Sequence, residues 1–184
     1  MQFLKKHWSN LLMLLFLALL FIPQTAMPIK VFVNSVFAFS PSQLDVDEQT
    51  HLADLSWNLV DLEGNRVDLA DSEGRVILIN QWATWCPPCV AEMPSLQALF
   101  ADYGGEVDFY FVSQEPAETL VNFLIKKELN IPVFMPAEAP PAGIEGRALP
   151  TTYLIDKEGK IVIREEGAAR WDSEKVRALV DTLL

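Results

Sequence analysis

Short apolar runs alternate with longer segments of helical periodicity along residues 55–184. Runs rich in β-branched and aromatic residues predict buried strands at 75–82, 107–112 and 132–135. Apolar residues that recur every three or four positions predict helices at 87–104, 117–129 and 171–184. Further apolar segments flank two Gly-containing turns, and they predict β-hairpins at 57–69 and 151–164.

The order of these elements predicts an α/β fold. A hairpin comes first, then a βαβα unit, then a second hairpin and a closing helix. Strands that alternate with helices and end in a hairpin imply a mixed central sheet with helices on both faces. The first hairpin would form an N-terminal extension of that sheet.

The beginning of the chain carries a membrane-type segment. Lys5 and Lys6 precede the unbroken apolar run 11–22, whose length is that of a signal-peptide core. Counted from 8 to 27, the stretch reaches the roughly 20 residues that a membrane-spanning helix needs. Because no good small-x-small cleavage site follows closely, we favour an uncleaved, single-pass anchor over a cleaved signal peptide, with a buried soluble helix as the third alternative. With either an anchor or a signal peptide, the basic end stays in the cytoplasm and the rest is exported.

Two connecting segments join this run to the domain. Residues 28–39 are apolar again, so they either lie in the membrane interface or pack on the domain. Residues 40–54 are acidic and typical of a solvated linker. The predicted organisation is an anchor or signal with an interfacial segment at 1–39, an acidic linker at 40–54 and a folded domain at 55–184.

Composition narrows the classes of partner. The net charge is −11 at pH 7, and all 25 acidic residues lie from Asp45 onward. Such an acidic chain disfavours nucleic acid and anionic lipid as binding partners. With 51% apolar residues, a chain of this length forms a core without disulfide cross-links.

The candidate chemistry lies at the only two cysteines, Cys86 and Cys89, which fall where a predicted strand leads into a predicted helix. Pro87 suits the first helical position because it has no N–H group to leave unpaired. Cys86 then lies at the helix N-terminus, where the dipole and free N–H groups stabilise a thiolate. Cys89 is one turn further in and more buried. This asymmetry favours thiol–disulfide exchange, in which Cys86 attacks and Cys89 resolves the mixed disulfide.

Other interpretations of the cysteine pair are weaker. A structural disulfide across so small a loop removes little entropy from the unfolded chain. A zinc site needs four ligands, and the only histidines, His7 and His51, lie before the domain. We therefore expect neither a metal nor a bound cofactor.

Residues 81–100 resemble the active-site segment of thioredoxin-fold proteins, and most of all the TlpA/ResA-like branch of membrane-anchored, extracytoplasmic thiol–disulfide reductases. The matching positions are Asn80, Trp82, Ala83, Trp85, Cys86, Cys89, Glu92 and Pro94. Gln81 departs from the pattern, since an aromatic residue is usual there, and the change is expected to affect packing behind the site rather than chemistry. Residues 149–156 resemble the family's second signature, a cis-proline loop that enters a strand. The resemblance covers residues 55–184.

The resemblance implies a thioredoxin-like fold and roles for several residues. It predicts a cis peptide bond between Leu149 and Pro150, with the proline ring against the cysteine pair and the Leu149 backbone free to pair with an extended substrate. Glu92 would tune the dithiol or relay protons, and the alternative for it is a solvated helix carboxylate. Asn80 stands where cytoplasmic thioredoxins carry a buried Asp, which leaves Glu92 as the better internal base. Together with Leu149 and Pro150, the residues expected to form the substrate surface are Trp85, Pro87 and Pro88.

The leading functional hypothesis is an extracytoplasmic thiol–disulfide oxidoreductase that reduces protein disulfides through Cys86 and Cys89. Its partners would be a disulfide-containing protein substrate and a membrane-bound electron donor, because the compartment itself is oxidising. A disulfide-forming oxidase is the alternative, although the stretch between Cys89 and Pro150 is too short for the helical insertion of DsbA-like oxidases. A copper chaperone built on the cysteine pair is weaker still, and a peroxidase lacks its proline-led Thr-x-x-Cys motif.

Overall fold

The computed structural model describes residue 8, residues 11–13 and residues 23–184. Residues 8 and 11–13 are helical, and helix α1 spans Pro23–Phe37. Most of the predicted anchor at 11–22 lies outside the described residues. Among the described residues, no helix combines the length and the apolar character needed to cross a membrane.

Seven strands and three further α-helices follow α1, in the predicted order. The strands are β1 Asn58–Asp61, β2 Arg66–Asp68, β3 Val76–Gln81, β4 Val107–Val112, β5 Val133–Pro136, β6 Thr151–Ile155 and β7 Ile161–Glu166. The helices are α2 Pro87–Tyr103, α3 Ala117–Lys127 and α4 Glu174–Leu183, and a 3₁₀ helix spans Leu69–Ser72. Both hairpins are confirmed, with β1 antiparallel to β2 and β6 antiparallel to β7.

All seven strands form one mixed sheet in the order β2-β1-β5-β4-β3-β6-β7. Strand β3 is central, parallel to β4 and antiparallel to β6, and β4 is in turn parallel to β5. The first hairpin extends the sheet through the antiparallel pairing of β1 with β5. The carboxyl ends of β3 and β4 meet at one edge, because Gln81 stands opposite Val112.

The two faces of the sheet are covered differently. Val76 and Leu78 of β3 point into a cluster built with the inner faces of α2, α3 and α4. Ile77 and Ile79 point into a second cluster on the opposite face. Its cover is the 3₁₀ helix together with residues outside regular helices, namely Leu52, Trp57 and Ile144. The helical cover on that face is thus a single short turn, and irregular segments bury the rest.

The segment expected to be a solvated linker lies against the domain. Its backbone follows the edge strand β7, since the Leu44 N–H donates to the Val162 carbonyl at 2.9 Å and the Ile161 N–H donates to the Thr50 carbonyl at 2.9 Å. Leu52 is buried, whereas the acidic residues of the segment stay exposed. An edge strand presents unpaired backbone groups, and this segment satisfies some of them. Composition alone predicts a linker here because exposed acidic residues dominate the segment, while its docking depends on backbone hydrogen bonds and on the few apolar side chains Leu44 and Leu52.

Helix α1 packs against α2, so the structure places residues 28–37 on the domain. Large apolar side chains of this region remain exposed at Phe32, Phe37 and Phe39. Backbone contact continues beyond the helix, because the Arg170 N–H donates to the Phe39 carbonyl at 2.8 Å.

Candidate active site

A disulfide joins Cys86 and Cys89 at the start of α2, where their Cα atoms lie 5.3 Å apart. Cys86 is the N-cap residue with an extended backbone conformation, and its Sγ accepts a hydrogen bond from the Cys89 N–H at 3.2 Å. Pro87 and Pro88 carry no N–H group, so Cys89 supplies the first donor of the helix. In the reduced protein this donor and the helix dipole would both stabilise a thiolate on Cys86.

The surroundings of the disulfide are asymmetric. Cys86 and Cys89 are 3% and 0% exposed, whereas the neighbouring Trp85 is 67% exposed. Pro87 and Pro88 are half-buried beside them. A partner molecule therefore meets the Trp85 side chain before it reaches Cys86.

Glu115 braces the loop that carries the first cysteine. Its two carboxylate oxygens accept from the Thr84 N–H at 2.6 Å and from the Thr84 hydroxyl at 2.7 Å. No role for Glu115 follows from the local sequence, because 31 residues separate the two partners. The order of elements does bring the two residues to one edge of the sheet. Thr84 closely follows β3 and Glu115 closely follows β4, and neighbouring parallel strands end at the same edge.

Glu92 is buried rather than solvated. It is 1% exposed, one helical turn after Cys89, and it accepts three hydrogen bonds. The donors are Asn80 Nδ2 at 2.8 Å, the Ala169 N–H at 3.2 Å and Trp171 Nε1 at 3.1 Å. Burial raises the pKa of Glu92 to about 8, although the three donors partly oppose the shift. The carboxyl is therefore mostly protonated at neutral pH.

A polar row crosses the sheet beneath Glu92. Asn80, Thr152 and Glu165 stand opposite one another on β3, β6 and β7, and Asn80 Nδ2 also donates to Thr152 Oγ1 at 2.7 Å. Burial raises the pKa of Glu165, against the effect of a hydrogen bond from the Ser42 N–H. The charge of Glu165 in turn contributes to the raised pKa of Glu92. The row thus connects the buried carboxyl to a second, half-buried one.

The loop before β6 brings the other predicted residues to the same edge of the sheet. The Leu149–Pro150 bond is cis, as the resemblance predicts. Thr151 pairs with Gln81, the last residue of β3, so Leu149 and Pro150 lie at the edge from which the chain leads to Cys86. Pro150 is buried and Leu149 is 36% exposed.

A cleft of about 1030 Å³ opens at this edge of the sheet, and Trp85 lines it whereas Cys86 and Cys89 do not. Among the residues that line it are Trp85, Glu115, Met135, Arg147 and Leu149. Of the predicted substrate-surface residues, Trp85 and Leu149 line this cleft, whereas Pro87, Pro88 and Pro150 do not. Within residues 8, 11–13 and 23–184, no three His, Cys, Asp or Glu side chains are grouped closely enough to hold a metal ion.

A disulfide at a helix N-terminus, closed between two cysteines of one turn, exchanges two electrons with other thiols and disulfides. Set at the end of the central strand of this mixed sheet, it defines a thioredoxin-fold thiol–disulfide oxidoreductase. Comparison with known proteins agrees: the chain belongs to the AhpC/TSA family, whose model matches residues 50–164.

Individual relatives support the same class of enzyme. The chain is 32% identical over 132 residues to the thioredoxin-like protein YneN of Bacillus subtilis, covering 70% of this chain and 76% of YneN. It is 36% identical over 107 residues to the thiol-disulfide oxidoreductase ResA of Bacillus cereus, covering 56% of this chain and 62% of ResA, which is less than two thirds of that protein. A crystal structure of a candidate thiol-disulfide oxidoreductase from Bacteroides vulgatus is 33% identical, with a TM-score of 0.57 over 70% of this chain and 92% of that one.

Proposed function

We propose that this oxidoreductase reduces disulfide bonds of protein substrates outside the cytoplasm and is itself reduced by a membrane-bound electron donor. The observation that carries the direction is Glu92, a carboxyl buried one turn behind Cys89. A strongly stabilised thiolate makes the dithiol form a poor reductant, as in DsbA. The Glu92 carboxyl brings no positive charge that would stabilise a thiolate, and in its ionised form it opposes thiolate formation, so it favours reduction of the partner.

The reaction follows from the two cysteines. The Cys86 thiolate attacks one sulfur of the substrate disulfide, forms a mixed disulfide and releases the first substrate thiol. Cys89 then loses its proton and attacks the Cys86 Sγ, which releases the second substrate thiol. The substrate gains two electrons and two protons, and the enzyme ends as the Cys86–Cys89 disulfide seen in the structure.

In its ionised form, whose share grows as the pH approaches 8, Glu92 fits the role of proton acceptor from Cys89. Its pKa of about 8 lies near the ordinary value of a thiol, about 8.5, so a proton moves between the two groups at little cost in free energy. Asn80 holds the carboxyl by its hydrogen bond and fixes its orientation.

The direction of electron flow is tested by the reduction potential. We expect a value near the roughly −270 mV of thioredoxin. Fluorescence of Trp85, which neighbours Cys86 in the sequence, would report the redox state in dithiothreitol buffers of known ratio, with Cys86→Ala as the inactive control. A value near the roughly −120 mV of DsbA would instead assign the enzyme to disulfide formation.

For location, we propose that residues 11–22 remain attached and anchor the domain in the inner membrane. The support is the apolar run after Lys5 and Lys6, together with the apolar side chains that α1 leaves exposed. We expect protein extracted from membranes to have the intact mass of the full chain. Loss of residues 1–26 would rule out the anchor and leave export by a cleaved signal.

A further inference from the structure

Gln81 ends β3 at the position where the sequence departs from the active-site pattern that the family resemblance gives. Its half-buried side chain crosses to the loop that precedes β6. Nε2 donates to the Ile144 carbonyl at 2.7 Å, and Oε1 accepts from the Gly146 N–H at 3.1 Å. The amide thus pairs with this loop much as a neighbouring strand would, using one donor and one acceptor.

The loop is shaped to receive this side chain. A Cβ atom on Gly146 would overlap Gln81 Oε1, so a residue other than glycine would displace the amide. Ile144 is fully buried in the second core cluster, which anchors one end of the segment. At the other end, the Thr151 hydroxyl donates to the Ala148 carbonyl at 2.7 Å, and Thr151 stands opposite Gln81 in the sheet.

The segment that Gln81 holds forms one wall of the cleft that Trp85 also lines. Gly146, Arg147, Ala148 and Leu149 line this wall, and Ser113, Gln114 and Glu115 lie among the other lining residues. Leu149 comes directly before the cis-proline and offers its backbone to an extended partner. The position of this backbone depends on how the wall is held.

A phenylalanine at position 81 would have neither a donor for the Ile144 carbonyl nor an acceptor for the Gly146 N–H. Residues 145–149 are exposed, so water can replace the partner of the Gly146 N–H and this part of the wall can move without unfolding the core. The hydrogen bonds of Gln81 therefore act on the shape of the cleft more than on the stability of the domain.

We propose that Gln81 is a positioning residue for substrate binding, which holds the 144–149 wall and the Leu149 backbone where an extended segment of the protein substrate pairs with them. The inference rests on the proposed function, because it needs a protein substrate. It assigns Gln81 no part in the exchange between sulfurs.

The test compares a protein disulfide with a small one. Gln81→Met keeps the length of the side chain and removes both hydrogen bonds, and Gly146→Ala displaces the amide from the loop side. We expect each variant to raise KM for insulin reduction about tenfold with kcat unchanged, the scale of one or two lost hydrogen bonds. Reduction of 5,5′-dithiobis(2-nitrobenzoate), which uses the same two cysteines but has no peptide backbone to pair with the loop, should stay at the wild-type rate. The double variant should be no worse than either single one, because both remove the same interaction.

Matched controls separate this role from general damage. Gly105→Ala adds a methyl group in open space, and Gln43→Leu removes an exposed amide from the N-terminal segment, so both should behave as wild type. An unchanged KM for insulin in Gln81→Met, or an equal loss of rate with both disulfides, would overturn the inference. A wild-type enzyme that reduces the small disulfide but not insulin would overturn the proposed function and the inference with it.

Discussion

Replacing Cys89 with Ser is expected to stop turnover and to leave the enzyme joined to its substrates through Cys86. The Cys86 thiolate still attacks, because its stabilising donor is the backbone N–H of residue 89, which serine keeps. Without a thiol at residue 89, the mixed disulfide has no internal route to resolution. Cells that produce Cys89→Ser should contain complexes that survive a non-reducing gel and fall apart with dithiothreitol. Mass spectrometry of the released proteins would identify the substrates.

The reciprocal variant is the control for these roles. Cys86→Ser keeps Cys89, but that cysteine is fully buried and lies within the helix rather than at its N-terminus. We expect it to capture little or nothing. Capture by Cys86→Ser at the level of Cys89→Ser would reverse the assignment of nucleophile and resolving cysteine.

Local sequence signals predict most of the fold. The strands at 107–112 and 151–155 have the bounds expected from their β-branched and aromatic residues, which favour the extended conformation. The helix start at Pro87 follows from local chemistry, since a proline suits the first turn and Cys86 caps it. The Leu149–Pro150 cis bond required the family resemblance, because nothing local distinguishes it from an ordinary trans bond.

The features of the site that the sequence does not predict depend on contacts between residues that are distant in the chain. Nothing in the neighbourhood of Glu115 indicates that it holds Thr84, and nothing near Gln81 indicates that it holds Gly146. The burial of Glu92 is likewise set from outside its own helix, by Trp171 and Asn80. Each of these contacts arises at the edge where several chain segments converge, which is where the site lies.

Glu92→Gln is expected to change the titration of the reduced enzyme. Glu92 ionises near pH 8, and above that pH its negative charge opposes a thiolate in the same buried region. Glutamine removes the charge, so the pKa of Cys86 should fall, and thiolate absorbance should rise at lower pH than in wild type. The two groups titrate as a coupled pair in wild type, and the variant should show a single, simpler curve for Cys86.

The same substitution is expected to remove a large pH dependence from the stability of the disulfide form. The folded protein holds the Glu92 proton more tightly than the unfolded chain, since the pKa rises from 4.5 to about 8. The unfolding free energy should therefore fall as the pH rises through this window, because the folded state binds more protons there. Between about pH 5 and 8 the loss reaches roughly 4 kcal/mol at ~1.4 kcal/mol per pH unit.

Guanidinium unfolding of the oxidised enzyme at pH 5 and pH 8 measures this loss directly. Glu92→Gln should lose much less stability over that range than wild type, because its side chain does not ionise. Glutamine matches the size of glutamate but brings an N–H group that needs an acceptor. Rotation of the Asn80 side-chain amide by half a turn directs its Oδ1, which has no partner among the described residues, toward that N–H group. Glu118→Gln, at an exposed position of α3, should keep the wild-type pH dependence. Parallel curves for wild type and Glu92→Gln would mean that Glu92 ionises in the folded enzyme as readily as in water, and the proposed proton transfer from Cys89 would lose its acceptor.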